Sequence, residues 1–238
     1  MRAIVIANGA DNDGGVVGQL LSSHGYEIQQ LSRDEEGEWP TGHEPGDVVL
    51  SLGSDWSVYW PEIARFVNRE AAFLRQAHDL GIPILGICFG AQMLAHCLGG
   101  RVEKAPQPEV GWFPVDWELP KGETHADIKH FQPLFSQNSW FQWHYDRFIA
   151  PAGADIWATS PAGTQTFSLQ KSVGVQFHPE VTPAIVSRWA SGAGADELLR
   201  IGINPASLIA ETEVHFADSS GRAALLVEWF HAQVHKEW

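Results

Sequence analysis

Three short apolar runs, Ala3 to Ala7, Val48 to Leu52 and Ile82 to Ile87, recur along the first part of the chain. They carry no polar alternation, so each reads as a strand buried on both faces, which is what a parallel sheet requires. Helix-spaced stripes lie between and after them. Val16, Val17, Leu20 and Leu21 form one, stopped at Gly25, after which Tyr26-Glu27-Ile28 resumes a strand. Ile63, Phe66, Val67, Leu74 and Ala77 mark a helix from near Pro61 to Gly81. Ala91, Met93, Leu94, Ala95 and Leu98 mark another that ends at Gly99-Gly100. Strands alternating with helices predict an α/β chain, an open and mostly parallel sheet with helices on both faces. The loop from Asn8 to Gly15 is glycine-rich, but its spacing is neither a dinucleotide fingerprint nor a P-loop, and it reads as a plain loop.

The middle of the chain changes character. Short strands are expected over Trp112–Leu119, Trp140–Ile149, Ile156–Thr159, Thr164–Leu169 and Val173–Phe177. Turn residues at Pro120-Lys121-Gly122, Pro151-Ala152-Gly153 and Pro161-Ala162-Gly163 separate them. This predicts a small antiparallel extension, with Trp112, Trp117, Trp140, Trp143 and Trp157 packing it. Thr182-Pro183 and Asn204-Pro205 each pair an N-cap with Pro at the first helical position. Leu225, Leu226, Trp229, Phe230 and Gln233 suggest a final amphipathic helix. With no repeat, low-complexity tract or linker, residues 1–238 are expected to form one domain.

Composition narrows the chemistry. With 15 Lys+Arg against 29 Asp+Glu, the net charge is −14, which argues against nucleic acid or an anionic membrane surface as a partner. There is no signal-peptide pattern and no run approaching the ~18–20 apolar residues of a membrane span, so a cytoplasmic location is expected. Two cysteines, Cys88 and Cys97, cannot build a disulfide framework or a structural zinc site.

The thiols are not equivalent. Gly86-Ile87-Cys88-Phe89-Gly90 joins an apolar strand to a helix and has the shape of a nucleophile elbow, Gly-x-Nuc-x-Gly. Flanking glycines suit it because the turn is sharp and crowded. A thiol at a helix N-terminus gains from the positive end of the dipole. The amide of Phe89 would face a developing oxyanion. Cys97 lies inside the expected helix without a glycine bracket and reads as a core thiol. About nine helical residues span ~13.5 Å, too far for the two to form a disulfide. A base for Cys88 is offered by His178, at the end of Val173–Phe177, with Glu180 two residues on to orient the ring. His-Pro-Glu alone also fits an exposed loop, and the chain has 11 histidines. As a metal site the pair lacks a third ligand at usable spacing, and no cofactor is expected.

Taken together, Gly86-Ile87-Cys88-Phe89-Gly90-Ala91-Gln92, Gly99-Gly100 and Gly174-Val175-Gln176-Phe177-His178-Pro179-Glu180 resemble the class I glutamine amidotransferase (triad glutaminase) family. The similarity is to its stand-alone members that are like the glutaminase domain of GMP synthase. Gly53-Ser54-Asp55-Trp56-Ser57-Val58, Glu109-Val110-Gly111-Trp112 and Phe141-Gln142-Trp143-His144 support it, so the motif-bearing core is about residues 48–190, followed by a helical tail over about 191–238. The resemblance implies a flavodoxin-like sheet and a mechanism. Cys88 would attack the side-chain amide of glutamine or a γ-glutamyl compound, His178 would carry the proton to the leaving amine, and Glu180 would orient the imidazolium. Water would then hydrolyse a γ-glutamyl thioester. Backbone amides at Gly53 and Phe89 would form the oxyanion hole. Ser54, Gln92, His144 and Tyr145 would hold the glutamyl group, although Gln92 also fits a plain helix-surface residue. Trp56 and Trp143 lie in motif segments and are candidates for stacking on a substrate.

Two positions depart from the family. Ala91 stands where His or Tyr is common, and His144-Tyr145-Asp146 where His-Gly-Asp is common. A tyrosine there puts bulk beside the glutamyl pocket. The 58 residues after Glu180, that is 238 − 180, are too few for a fused synthetase, so ammonia would pass to a separate acceptor enzyme. A free-standing γ-glutamyl peptidase or hydrolase is the alternative, and a non-catalytic binding protein on the same fold the third reading.

Overall fold

The computed structural model describes residues 1–9, 14–37, 39–119, 128–135 and 139–235. The expected turn at Pro120-Lys121-Gly122 and residues 10–13 of the Asn8–Gly15 loop lie outside the described residues. In chain order the elements are β1 (Arg2–Ala7), α1 (Gly15–Ser23), β2 (Glu27–Ser32), β3 (Val48–Ser51), α2 (Ala64–Asp79), β4 (Ile84–Ile87), α3 (Phe89–Cys97), β5 (Arg101–Pro114), β6 (Asp116–Trp117), α4 (Ile128–Phe135), β7 (Ser139–Ile149), β8 (Asp155–Ser160), β9 (Gly163–Leu169), β10 (Ser172–Val175), α5 (Pro183–Trp189), α6 (Ala193–Arg200) and α7 (Pro205–Ala232).

Eight strands form one sheet in the order β2-β1-β3-β4-β10-β9-β8-β6. The first five run parallel, and β9, β8 and β6 add the antiparallel extension. The parallel part has the strand order of a flavodoxin-like fold. Successive side chains on a strand point to opposite faces, and the core divides accordingly. Ala3, Val5 and Ala7 pack with Val17, Leu21, Leu226 and Phe230, from α1 and α7. Ile4 and Ile6 pack with Val67, Leu74, Met93 and Leu94, from α2 and α3. The apolar runs are therefore buried on both sides, as their lack of alternation demands.

The other half of the expected extension is a separate ribbon, β5 paired antiparallel with β7. It carries a third apolar cluster in which Val110 and Phe141 meet Ile185, Val186, Leu198 and Leu208 of α5, α6 and α7. The expectation of a short strand over Trp112–Leu119 is corrected here, because β5 runs through 14 residues, Arg101–Pro114, with a register shift between Lys104 and Glu109. Similarly, β10 stops at Val175 and does not reach Phe177. The His178 amide then donates to the Phe141 carbonyl at 2.9 Å, so the chain leaves the sheet to join the ribbon. Both expected N-caps form, with Ile185 N–H donating to Thr182 Oγ1 at 3.2 Å and Ser207 N–H donating to Asn204 Oδ1 at 3.1 Å. The final helix is longer than the apolar stripe suggested, spanning 28 residues. Among the described residues, no helix is long and apolar enough to cross a membrane.

Candidate active site

A cleft of about 860 Å³ opens at the carboxyl ends of β1, β3, β4 and β10, where open α/β sheets place their ligands. Asn8, Gly53, Cys88 and His178 each follow one of those strands and line it. Cys88 stands between β4 and α3 with φ 51° and ψ −109°, a left-handed backbone rare for a side-chain-bearing residue. Its amide donates to the Val175 carbonyl at 2.8 Å, and its carbonyl accepts from Gln92 N–H at 3.0 Å, which locks the turn. The glycine bracket has a steric cause. A Cβ on Gly86 would strike the Gly90 backbone, and one on Gly90 would strike the Ser51 carbonyl.

His178 Nδ1 is 2.7 Å from Glu180 Oε1, and both side chains are buried. Burial disfavours charge on the ring, but the carboxylate of Glu180 and the sulfur of Cys88 outweigh it and push His178 up to about 10. Nε2 of His178 and Oε2 of Glu180 have no hydrogen-bond partner among the described residues. Gly53 sits against this group: a Cβ placed on it would lie 3.1 Å from His178 Cε1 and 3.7 Å from Cys88 Cβ. The loop before α1 closes the other side. Val16 N–H donates to the Glu180 carbonyl at 2.9 Å, and Gly15, at φ 54°, leaves no room for a side chain beside that carbonyl. Gly14 and Gly15 of the Asn8–Gly15 loop thus serve close backbone contact.

The other expected site residues except Phe89 also line the cleft, each in its own setting. Ser54 Oγ accepts from Trp56 N–H at 3.2 Å. Gln92 is only 3% exposed, so the helix-surface reading is corrected: its Nε2 donates to the Asp146 carbonyl at 3.4 Å and to Gln176 Oε1 at 3.3 Å. His144 is held between the Asp146 carbonyl (Nδ1, 3.0 Å) and Glu109 Oε2 (Nε2, 3.1 Å). Tyr145 sits at the rim, where its hydroxyl donates to Glu197 Oε1 at 2.8 Å. Phe89 is buried at the start of α3. Of the two stacking candidates, Trp143 donates its indole N–H to Glu197 Oε1 at 2.9 Å, while its carbonyl lies 3.9 Å from the Cys88 sulfur. Trp56 lines the cleft as well.

Several site residues carried no role in the sequence reading. Gln176 points Nε2 at the Cys88 sulfur, 3.6 Å away. Trp189 packs edge-on to the His178 ring, with centroids 5.0 Å apart. Asp146 accepts from the Ser57 and Tyr59 hydroxyls and pins the loop that follows Gly53. Arg33 and Glu70 form a buried pair beneath that loop. Only Glu70 left a usable sequence signal, a carboxylate placed on the apolar stripe of α2 between Val67 and Leu74. Cys97 lies away from the cleft as a free thiol that burial pushes up to about 12, and it donates to the Leu94 carbonyl. Among the described residues, no group of three or more His, Cys, Asp or Glu is placed to hold a metal ion.

The chain is similar to known proteins in sequence and fold. Over 173 residues the chain is 37% identical to GMP synthase (glutamine-hydrolyzing) of Limosilactobacillus reuteri, covering 71% of this chain and 29% of that protein. Over 193 residues it is 30% identical to GMP synthase (glutamine-hydrolyzing) of Aeropyrum pernix, covering 75% of this chain and 33% of that protein. It thus spans about a third or less of the length of these relatives. The crystal structure of a glutamine amidotransferase from Thermotoga maritima matches with a TM-score of 0.82 at 29% identity, covering 97% of this chain and 98% of that one. A glutamine amido transferase from Methylobacillus flagellatus shares the fold, with a TM-score of 0.81 at 23% identity, covering 100% of this chain and 96% of that one. The family model for glutamine amidotransferase class-I matches residues 19–186, well over half of the sequence, and the chain belongs to that family.

Proposed function

We propose that the chain hydrolyses the γ-glutamyl amide of glutamine with Cys88 as nucleophile, His178 as proton carrier and Glu180 as the group that orients the imidazole. The observation that carries this reading is the strained elbow of Cys88 beside the buried His178–Glu180 pair, with Gly53 packed against both. Sulfur forms a bond to the amide carbon, and its proton passes to His178. The tetrahedral oxyanion is met by the amides of Gly53 and Phe89. His178 then protonates the leaving nitrogen, the C–N bond breaks, and ammonia departs from a γ-glutamyl thioester. Water, deprotonated by His178, opens the thioester to release glutamate and restore the thiol. His178's raised affinity for a proton suits both its transfer from sulfur and the charge that the ring carries between steps.

Residues 1–238 would act as one glutaminase-like domain that passes ammonia to a separate acceptor enzyme. Two unpaired thiols suit a reducing compartment such as the cytoplasm. Ser54, Gln92 and His144 would shape the glutamyl pocket and Tyr145 its rim on the leaving-group side, with no cofactor or metal taking part. A second reading, a γ-glutamyl peptidase acting on conjugates, is supported by the cleft's size. At about 860 Å³ it falls in the range that holds drug-sized ligands, and Trp56, Tyr59, Trp60, Trp143, Tyr145 and Trp189 line it. The test is glutamate release from glutamine and from γ-glutamyl peptides. Release that survives Cys88→Ala would refute the nucleophile, and no release from any γ-glutamyl compound, alone or with a synthetase added, would favour a binding role.

A further inference from the structure

Arg33 follows β2, 55 residues before Cys88 in sequence (88 − 33), yet its side chain lies under the candidate oxyanion hole. It is 1% exposed, and the Glu70 carboxylate that faces it is fully buried. Nε and Nη2 grip Glu70 Oε2 and Oε1 at 2.6 and 3.2 Å. The remaining N–H groups do not stay within the pair. Nη2 donates to the Leu52 carbonyl at 2.9 Å, and Nη1 to the Gly53 carbonyl at 3.2 Å and to Asn8 Oδ1 at 2.8 Å. The guanidinium carbon also stands 4.7 Å from the centre of the Phe89 ring. One buried cation therefore touches the backbone on both sides of the Gly53 amide and the side chain of Phe89, the two residues assigned to the oxyanion hole. The Gly53 amide has no acceptor among the described residues. It is left for a ligand, and its direction is set by the peptide planes whose carbonyls Arg33 holds.

A buried ion pair contributes little net stability, because desolvation cancels most of its attraction. Net stability alone is therefore a weak reason for this one. We propose that Arg33, fixed by Glu70, is a positioning residue that aims the Gly53 amide and seats Phe89 for oxyanion stabilisation. This rests on the glutaminase reading for its kinetic consequence but not for its structural one. Arginine is required because its planar fork serves two carbonyls, an amide oxygen and a carboxylate at once, which an ammonium cannot do.

The experiment compares Arg33→Lys and the apolar double variant Arg33→Met/Glu70→Leu with the wild-type chain in three measurements. These are steady-state glutamate release, alkylation of Cys88 by iodoacetamide, and hydrogen exchange of the segment 52–54. Alkylation proceeds by displacement and forms no oxyanion. Removing an oxyanion donor outright costs ~10²–10³ in kcat, so a misaimed one should cost about 10-fold or more in both variants, with KM within about twofold. Alkylation should stay at the wild-type rate, and exchange at 52–54 should quicken. Wild-type kcat in either folded variant would overturn the proposal and leave the glutaminase reading standing. Loss of kcat and alkylation together in both variants would reduce the pair to a fold element and also overturn it. Should the wild-type chain release no glutamate, the glutaminase reading fails by itself, and hydrogen exchange decides the positioning role: unchanged exchange at 52–54 would overturn it.

Discussion

Gln176 donates its side-chain amide to the sulfur of Cys88, with Nε2 3.6 Å from Sγ. The orientation of that amide is set from behind. Gln176 Oε1 accepts from Gln92 Nε2, and the same Nε2 is spent on the Asp146 carbonyl, so turning Gln176 over would set two donors face to face. The bond helps to fix the position of the sulfur in the cleft. Gln176→Leu should therefore slow glutamate release and iodoacetamide alkylation of Cys88 alike, by about 5- to 10-fold, the worth of one hydrogen bond of ~1 kcal/mol. Slower glutamate release with unchanged alkylation would place Gln176 elsewhere in the reaction.

The two thiols should separate cleanly toward an electrophile. Cys97 is partly buried among α2 and α3 neighbours, and that burial pushes its thiol up to about 12, which leaves almost no thiolate near pH 8. An electrophilic glutamine analogue should label Cys88 alone, as read by peptide mass spectrometry. Cys97→Ala should leave glutamate release unchanged. Preferential labelling of Cys97 would reverse the assignment.

Much of this architecture is legible in the sequence because it is periodic or sterically forced. Unbroken apolar runs such as Ala3–Ala7 gave the parallel strands, and the glycines around Cys88 gave the elbow. What was not legible depends on contacts between distant segments. Arg33 and Glu70 lie 37 residues apart, and neither stands in a motif. Trp189 and Glu197 belong to short helices, of which α6 carried no cap or stripe strong enough to read. The length of β5 was hidden because its outer half, Arg101–Pro108, is exposed or only half-buried, so no apolar pattern marks it.

The rim of the cleft should set the choice of leaving group. Glu197 Oε1 accepts from both Trp143 and Tyr145, two residues apart on β7. Glu197→Ala would release both rings, and Tyr145→Gly would remove one. Both variants should change KM for γ-glutamyl peptides by ~3- to 10-fold, consistent with the loss of one or two hydrogen bonds, while KM for glutamine moves by less than about twofold. Parallel Michaelis curves on glutamine and a γ-glutamyl peptide check this. Equal changes on both substrates would place the rim at the glutamyl half of the pocket.

Stability should fall with rising pH in a window that belongs to His178. The folded protein pushes this ring up to about 10, above the ~6.5 of an unfolded chain. Its contribution is therefore fully present below about pH 6.5 and is lost as pH rises through about 10. His43 and His78, which burial pushes down, act earlier and with the opposite sign, gaining stability as pH rises to about 7.5, whereas other groups act later. Cys97, Tyr26 and Tyr145 are each pushed up to about 12, so they draw on stability only above the ordinary thiol and phenol values near ~8.5 and ~10. The interval from about pH 7.5 to 8.5 should therefore isolate His178. Urea denaturation of the wild-type chain across that interval should show a stability that declines with pH. Glu180→Gln removes the larger of the two charges that raise the ring and leaves burial opposing them, so the decline should shrink or reverse in that variant. A wild-type stability that rises between about pH 7.5 and 8.5 would mean that His178 is neutral in the folded chain, with burial prevailing over Glu180 and Cys88.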